Sequence, residues 1–502
     1  MESTRRLALS CVLGIASVVA GCNGDPVTPG TDAGPRDSGM MVEEDSSTPV
    51  DSGTPVDSGP LPDGSMPDAG PPLPAYCPTL PAVGAEPTCP ASPAIVEVAA
   101  ADDMEQAGDL NWTCANVYHL RNTLFMMSGT LNIGAGTRII GDNGAAIVIT
   151  QGARINAVGT PANPVVFTSA QDEGSAAAGD WGGVVLLGDA PINSTGMAGG
   201  TNAIEGLPAT DTRGTYGGTD PTHDCGTIRY ARIEYAGFRF GMNNELNGLT
   251  MGGCGSETDI EAVQVHLGLD DGFEMFGGSP NLSFVIASGI DDDGLDWDFG
   301  YTGRIQFAVV DRLGLTAVGS SDPNGMEGDN HPSAFDNTPR SDPAVWNVTL
   351  VGEPAQAAGI GAVLRRGTYA RIRNIIMLDW PVVGVNVRDM QGISAAGAGL
   401  SITHSIFFTN GMGGTQHFAY GTGMTRTFDT VFDDAEHMNR LGVDPMLGTI
   451  SDSDPNYVPP MGSPAATGGA TPMAPLQTQA TFVGAFGPGC PDWSAGWAAF
   501  PE

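Results

Sequence analysis

The sequence predicts an all-β fold, a solenoid of the parallel β-helix kind, behind an exported N-terminus. Three observations carry this. From about residue 120, apolar alternations of three to five residues recur, each closed by Gly, Asn or Asp. Such strands are too short for a sandwich and too evenly spaced for loops. No helical period runs through most of this stretch. A motif also returns at a coil-sized offset: Asp271-Gly272-Phe273-Glu274-Met275-Phe276 aligns with Asp293-Gly294-Leu295-Asp296-Trp297-Asp298, 22 residues on. Each coil buries its inward residues against its neighbours, so chain length does not limit the core.

In chain order, the first element is a processing signal. Arg5 and Arg6 precede an apolar stretch, Leu7 to Val19, that is too short to span a bilayer. It closes on Val19-Ala20-Gly21-Cys22, which resembles the bacterial lipobox. That resemblance implies removal of residues 1–21 and lipid on Cys22; the expected location is the outer membrane, at the cell surface. Residues 22–76 form the second element. Thr48-Pro49-Val50-Asp51-Ser52-Gly53 repeats at once as Thr54-Pro55-Val56-Asp57-Ser58-Gly59, and residues 23–76 hold ten acids and one Arg. A segment this polar buries too little surface to offset its chain entropy, so it reads as a disordered tether.

Residues 77–120 are expected as an N-terminal cap, 121–445 as the β-helix and 446–502 as a C-terminal capping segment. The strands Thr130–Ile133, Arg138–Ile140, Ala146–Ile149, Arg154–Ala157 and Pro164–Phe167 open the solenoid. Asn244-Glu245-Leu246-Asn247-Gly248 reads as a weaker, earlier member of the Asp-Gly repeat. Asn324-Gly325-Met326-Glu327-Gly328-Asp329 returns 31 residues after the Asp293 copy, which implies an inserted loop. Val345–Leu350 and Ala370–Ile376 read as later rungs. Trp493 and Trp497 are expected to cap the last coil.

Six cysteines remain after Cys11 leaves with the signal and Cys22 takes lipid: Cys77, Cys89, Cys114, Cys225, Cys254 and Cys490. An even number in an exported chain suggests disulfides. Aligning Ile228–Tyr235 with Ile260–Leu267 brings Cys225 and Cys254 to one corner of adjacent coils, so they are expected to pair. Two of Cys77, Cys89 and Cys114 are expected to lock the N-terminal cap, which leaves the third for Cys490 or free.

Several stretches together resemble bacterial surface lipoproteins with a right-handed, single-stranded parallel β-helix of the pectin-lyase-like fold class. They are GTLNIGAGTRIIGDNGAAIVITQGARINAVGTPANPVVFTSA (129–170), GDWGGVVLLGDAPIN (179–193), CGTIRYARIEYAGF (225–238), NNELNGLTMGGCGS (243–256), DDGFEMFGG (270–278), DDDGLDWDFGYTGRIQF (291–307) and FVGAFGPGCPDWSAGWAAF (482–500). The resemblance implies fold and location. The family is functionally undefined, so it implies no reaction.

Charge excludes several functions. The chain holds 57 Asp+Glu against 20 Lys+Arg, a net charge of −37, and every one of the twenty is arginine. Nucleic acid is not expected as a partner, because the cationic footprint is missing. A Walker loop, a Schiff-base enzyme and a Lys-base lyase each lack their lysine.

The repeat directs attention to its outward residues. If Phe273, Leu295 and Met326 point inward, Glu274, Asp296 and Glu327 form one outward column, and Phe276, Asp298 and Asp329 a second. Stacked coils lie about 4.8 Å apart, and carboxylates at that spacing repel unless a cation joins them or some stay protonated. Asp271, Glu274, Asp293, Asp296, Asp298, Glu327 and Asp329 are therefore candidate ligands, with Ca2+ as the suited ion. The competing expectation is a solvated acidic ladder with Asx-type turns, since Asp-Gly is turn chemistry. A catalytic expectation also stands: Asp270, Asp271, Asp292 and Asp293 as acid and base pairs, with His266 near the first pair and Arg304 following the second. Arg304 or Arg365-Arg366 would have to serve as a lyase base, which is hard for a guanidinium. Trp181, Trp297, Trp346 and Trp380 are candidate sugar platforms, with core the commoner use of a lone Trp. The leading expectation is a non-enzymatic scaffold or adhesin that binds carbohydrate or extracellular matrix, with Ca2+ supporting its acidic face. The alternatives are a Ca2+-assisted polysaccharide lyase or glycoside hydrolase, and a purely structural envelope spacer.

Overall fold

The computed structural model describes residues 76–500, apart from 173, 196–198, 242–243, 314–318, 321, 390–398, 422–431, 433–434, 449 and 452. Cys22, the signal and tether residues 22–75 lie outside the described residues. Among the described residues no helix is long and apolar enough to cross a membrane.

Two parallel sheets run the length of the solenoid. The first holds the longer strands, such as Gly226–Glu234, Asp259–His266, Asn281–Ser288, Arg304–Asp311 and Ala344–Val351. The second stacks the short strands Leu249–Gly252, Phe273–Phe276, Leu295–Asp298, Asn324–Gly328 and Ile360–Leu364. Each strand pairs in parallel with the equivalent strand of the next coil, which requires a crossover through the other sheet and gives a right-handed coil. Between the sheets lies one continuous core, with Phe273, Met275, Leu295, Trp297 and Met326 fully buried in it.

The expected registers hold. Ile228 faces Ile260 and Glu234 faces His266 across the first sheet. Glu274 faces Asp296 and Asp296 faces Glu327 across the second. The 31-residue offset arises from an excursion between Asp311 and Asn324. Cys225 and Cys254 are joined (S–S 2.07 Å), as are Cys89 and Cys114 (2.02 Å) and Cys77 and Cys490 (2.10 Å).

Both ends of the described chain add detail to the expected division. Coil pairing begins at Ala94–Val98, which lies parallel to Asn116–Leu120, so the segment 77–120 contributes coil strands rather than a cap alone. Its strands Met104–Gln106 and Leu110–Trp112 are too short and too polar to stand out in sequence. The segment 446–500 first meets the last coil, where Arg440 Nη1 donates to Pro464 O (2.6 Å). It runs back along the outside of the first sheet: Gly484 N–H donates to Asn374 O, Ala485 N–H to Thr349 Oγ1, and Ala499 N–H to Gln264 Oε1. Trp493 meets Phe284 edge-on at 5.4 Å and Trp497 meets Tyr230 at 6.5 Å.

A column of left-handed residues explains this strap. Tyr230, Ala262, Phe284, Phe307, Asn347, Asn374 and His404 have φ of 48–59° and break each long strand at one equivalent position. The break interrupts strict in–out alternation and turns Tyr230, Phe284 and Phe307 into an apolar strip outside the core, which Phe482, Trp493 and Trp497 cover. Such φ values cost about 1–2 kcal/mol per non-glycine residue, and burial of the strip offsets that cost.

Candidate functional site

The Asp-Gly repeats build a ladder. Asn247 Oδ1 accepts from Asp271 N–H (3.1 Å), Asp271 Oδ1 from Asp293 N–H (2.9 Å), and Asp293 Oδ1 from Asn324 N–H (2.7 Å). One oxygen of each side chain thus fixes the equivalent residue one coil on. The glycines serve the same stacking. A Cβ on Gly248, Gly272, Gly294 or Gly325 would lie 2.6–2.9 Å from the carbonyl oxygen of Gly272, Gly294, Gly325 or Gly361 respectively. Close coil approach, rather than turn formation, is what selects Asp/Asn-Gly here.

The ladder sets the acidic columns on the outer face of the second sheet. Oxygens of Asp271, Glu274 and Asp296 lie within 4.8 Å of one another, as do those of Asp293, Asp296 and Glu327, and those of Asp270, Asp271 and Asp292. Asp271, Glu274 and Asp293 are buried. Asp296 Oδ1 is enclosed and has no hydrogen-bond partner. Burial, and then neighbouring carboxylates, push Asp271, Glu274, Asp293 and Asp296 well above the usual carboxylate range. The same causes push Asp270 up to about 8 and Asp298 up to about 7.

Arginines divide the cluster. Arg365 pairs with Glu327 and with Asp329 (3.0 Å), and Arg366 pairs with Asp329 (2.5 Å). Glu327 and Asp329 were expected as cation ligands, and the structure gives both guanidinium partners. Asp270, Asp271, Glu274, Asp293, Asp296 and Asp298 have no Arg within 4.0 Å among the described residues. The uncompensated centre of the column is therefore Asp271, Glu274 and Asp296, with Asp293 and Asp270 beside it.

Two residues near this centre escaped sequence reading. Glu205 comes from the long excursion before Cys225. It shares a hydrogen bond with Glu274 and accepts from Asn247 Nδ2 (3.3 Å), and burial raises its pKa. Arg312 is 1% exposed and donates to the carbonyl oxygens of Ile290 (2.8 Å) and Asp292 (2.7 Å), which fixes the turn carrying Asp291–Asp293. Neither lies in a repeat, so no periodic signal marks it.

The catalytic arrangement is corrected. Arg304 starts a strand of the first sheet, donates to Asn281 Oδ1 (3.3 Å), and lines a cavity of about 250 Å³ with Asp259 and Glu261. It does not join Asp292 and Asp293. His266 lies under the strap, with Nδ1 2.9 Å from Ser288 Oγ and its ring against Phe500. Asp271 and Asp293 each commit an oxygen to the ladder, and Asp292 accepts from Ser320 Oγ (2.6 Å). Trp181, Trp297, Trp346 and Trp380 are all buried, so none offers an open face to a sugar. The exposed aromatic near the acids is Phe240, 45% exposed, on the hairpin whose Arg239 and Glu245 flank Asp270.

A family model described as a pectate-lyase-like β-helix domain matches residues 103–440. No curated protein and no solved structure matches the chain.

Proposed function

Because the chain belongs to the pectate-lyase-like β-helix family, we propose that it is a non-enzymatic, cation-dependent carbohydrate- or matrix-binding protein. In this reading it is held at the outer membrane by lipid on Cys22. Ca2+ sits among Asp271, Glu274 and Asp296, with Asp293 and Glu205 beside them. Three carboxylates within 4.8 Å, without an arginine and with one enclosed oxygen unbonded, support this most directly. An oxygen set of this kind suits Ca2+, and a bound ion keeps open positions for sugar hydroxyls or carboxylates.

A depolymerase fits less well. Arg365 is committed to Glu327 and Asp329, whose charges raise its pKa against the lowering effect of burial, the opposite of what a base requires, and Arg312 is spent on the carbonyl oxygens of Ile290 and Asp292. Binding of the full chain to a glycan panel, in Ca2+ and in chelator, with product assays on each polysaccharide, separates the readings. Ca2+-dependent retention without turnover supports the proposal. Turnover lost in Asp271→Asn would favour the enzyme. Neither retention nor turnover would favour the spacer.

A further inference from the structure

A cavity lies away from the acidic columns. It occupies about 760 Å³ on the outer face of the first sheet, just beyond the end of the strap. Its floor comes from three coils, in which Arg138, Val166 and Arg232 are in register. Gln171, Gly174 and Ala176 form one wall, and Ala499 and Phe500 form the other. That volume is typical of sites for sugar-sized ligands.

The polar groups facing it differ in availability. Arg232 is used: its Nε donates to Glu234 (2.7 Å) and its Nη1 to Trp497 O (3.2 Å). Ser169 is used as well, donating to Asp180 (2.6 Å). Arg138 is not. Eleven other arginines pair with carboxylates, whereas the exposed side chain of Arg138 has no ion pair or hydrogen bond among the described residues. Of the other described arginines without a carboxylate partner, Arg304, Arg312 and Arg440 donate hydrogen bonds and Arg373 lies over the Trp346 ring, which sets Arg138 apart on a chain of net charge −37. The exposed side-chain amide of Gln171 is also unengaged and the half-buried ring of Phe500 supplies apolar surface, whereas Thr168 and Tyr235 line the cavity from buried positions.

We infer that this cavity binds a saccharide carrying an oxyanion, a carboxylate or a sulfate ester. Arg138 takes the oxyanion, Gln171 meets ring hydroxyls, and Phe500 covers the C–H face of the ring. A guanidinium meets either oxyanion through paired N–H donors, and neutral sugars lack that contact. The site uses no residue of the acidic columns, so it stands independently of the cation reading.

The test is calorimetric titration of the full chain in chelator with glucuronate, glucose 6-sulfate and glucose. Both anions should bind, and glucose should bind about tenfold more weakly or worse, a factor equivalent to about 1.4 kcal/mol. Whichever anion binds tighter names the natural oxyanion. Arg138→Gln should cost the anions about tenfold or more and leave glucose unchanged, with the melting temperature retained because Arg138 is exposed. Phe500→Ala should weaken all three ligands. No binding of either anion at millimolar concentration, equal affinity for glucose, or full affinity in Arg138→Gln would overturn the inference.

Discussion

Removing divalent cations should make this fold more stable in mild acid than at neutral pH, the reverse of the usual carboxylate behaviour. Asp298 is pushed up to about 7 and Asp270 up to about 8, by burial and by neighbouring acids. In the unfolded chain both ionise near the ordinary Asp value of about 3.9. Between about pH 5 and 7 the folded state therefore holds up to two more protons than the unfolded state. Stability then falls as pH rises, by about 1.4 kcal/mol per pH unit for each such proton, or up to about 2.7 kcal/mol for the two. The contribution is fully present below the unfolded pKa and is lost as pH rises through the folded values. Net stabilities of domains are about 5–15 kcal/mol, so the effect is large enough to measure. Ca2+ should weaken the trend, because a cation among Asp271, Glu274 and Asp296 favours the ionised form of the neighbouring Asp270 and Asp298; at about a hundredfold excess over its Kd it adds about 2.7 kcal/mol. Thermal melts by circular dichroism, from pH 5 to 8, in chelator and in Ca2+, read both effects. A melting temperature in chelator that stays level or rises toward pH 8 would refute the reasoning, and so would a melt at pH 8 that Ca2+ leaves unmoved.

Other expectations concern the ladder and the strap. Asp271→Asn keeps the acceptor for Asp293 N–H, so it should melt no lower than wild type in chelator yet lose Ca2+ affinity in a titration. Asp271→Ala removes that acceptor and should cost about 1–3 kcal/mol in denaturant unfolding. The double change Cys77→Ser with Cys490→Ser should lower stability by about 2–4 kcal/mol and speed proteolytic cleavage within 446–500, with the coils left resistant. Trp493→Ala opens a gap between Phe486 and Phe284 and should cost about 3–5 kcal/mol where the strap unfolds with the coils. Dye binding to the exposed Tyr230–Phe284–Phe307 strip would report strap release alone.

The coils were legible because stacking imposes a repeat. Asp271-Gly272 and Asp293-Gly294 reveal the pitch, and alternation about Phe273 and Leu295 assigns Glu274 and Asp296 to the outer face. The strap was not legible, because the left-handed residues at Tyr230, Phe284 and Phe307 violate the alternation on which the reading depends. Compensation of Glu327 and Asp329 was hidden for another reason: Arg365 and Arg366 lie about one coil further on, outside the acidic repeat. Glu205 reaches the site from an excursion with no period, and Arg304 is adjacent to Asp298 in sequence but turns into the other sheet.

The most direct test of the central claim is a Ca2+ titration by calorimetry at pH 7, on wild type and on Glu274→Gln and Asp296→Asn. The account predicts saturable binding with proton release in wild type, since raised carboxyls must ionise to ligate, and loss of both signals in either variant. No binding by the wild type, or equal affinity in all three proteins, would contradict it.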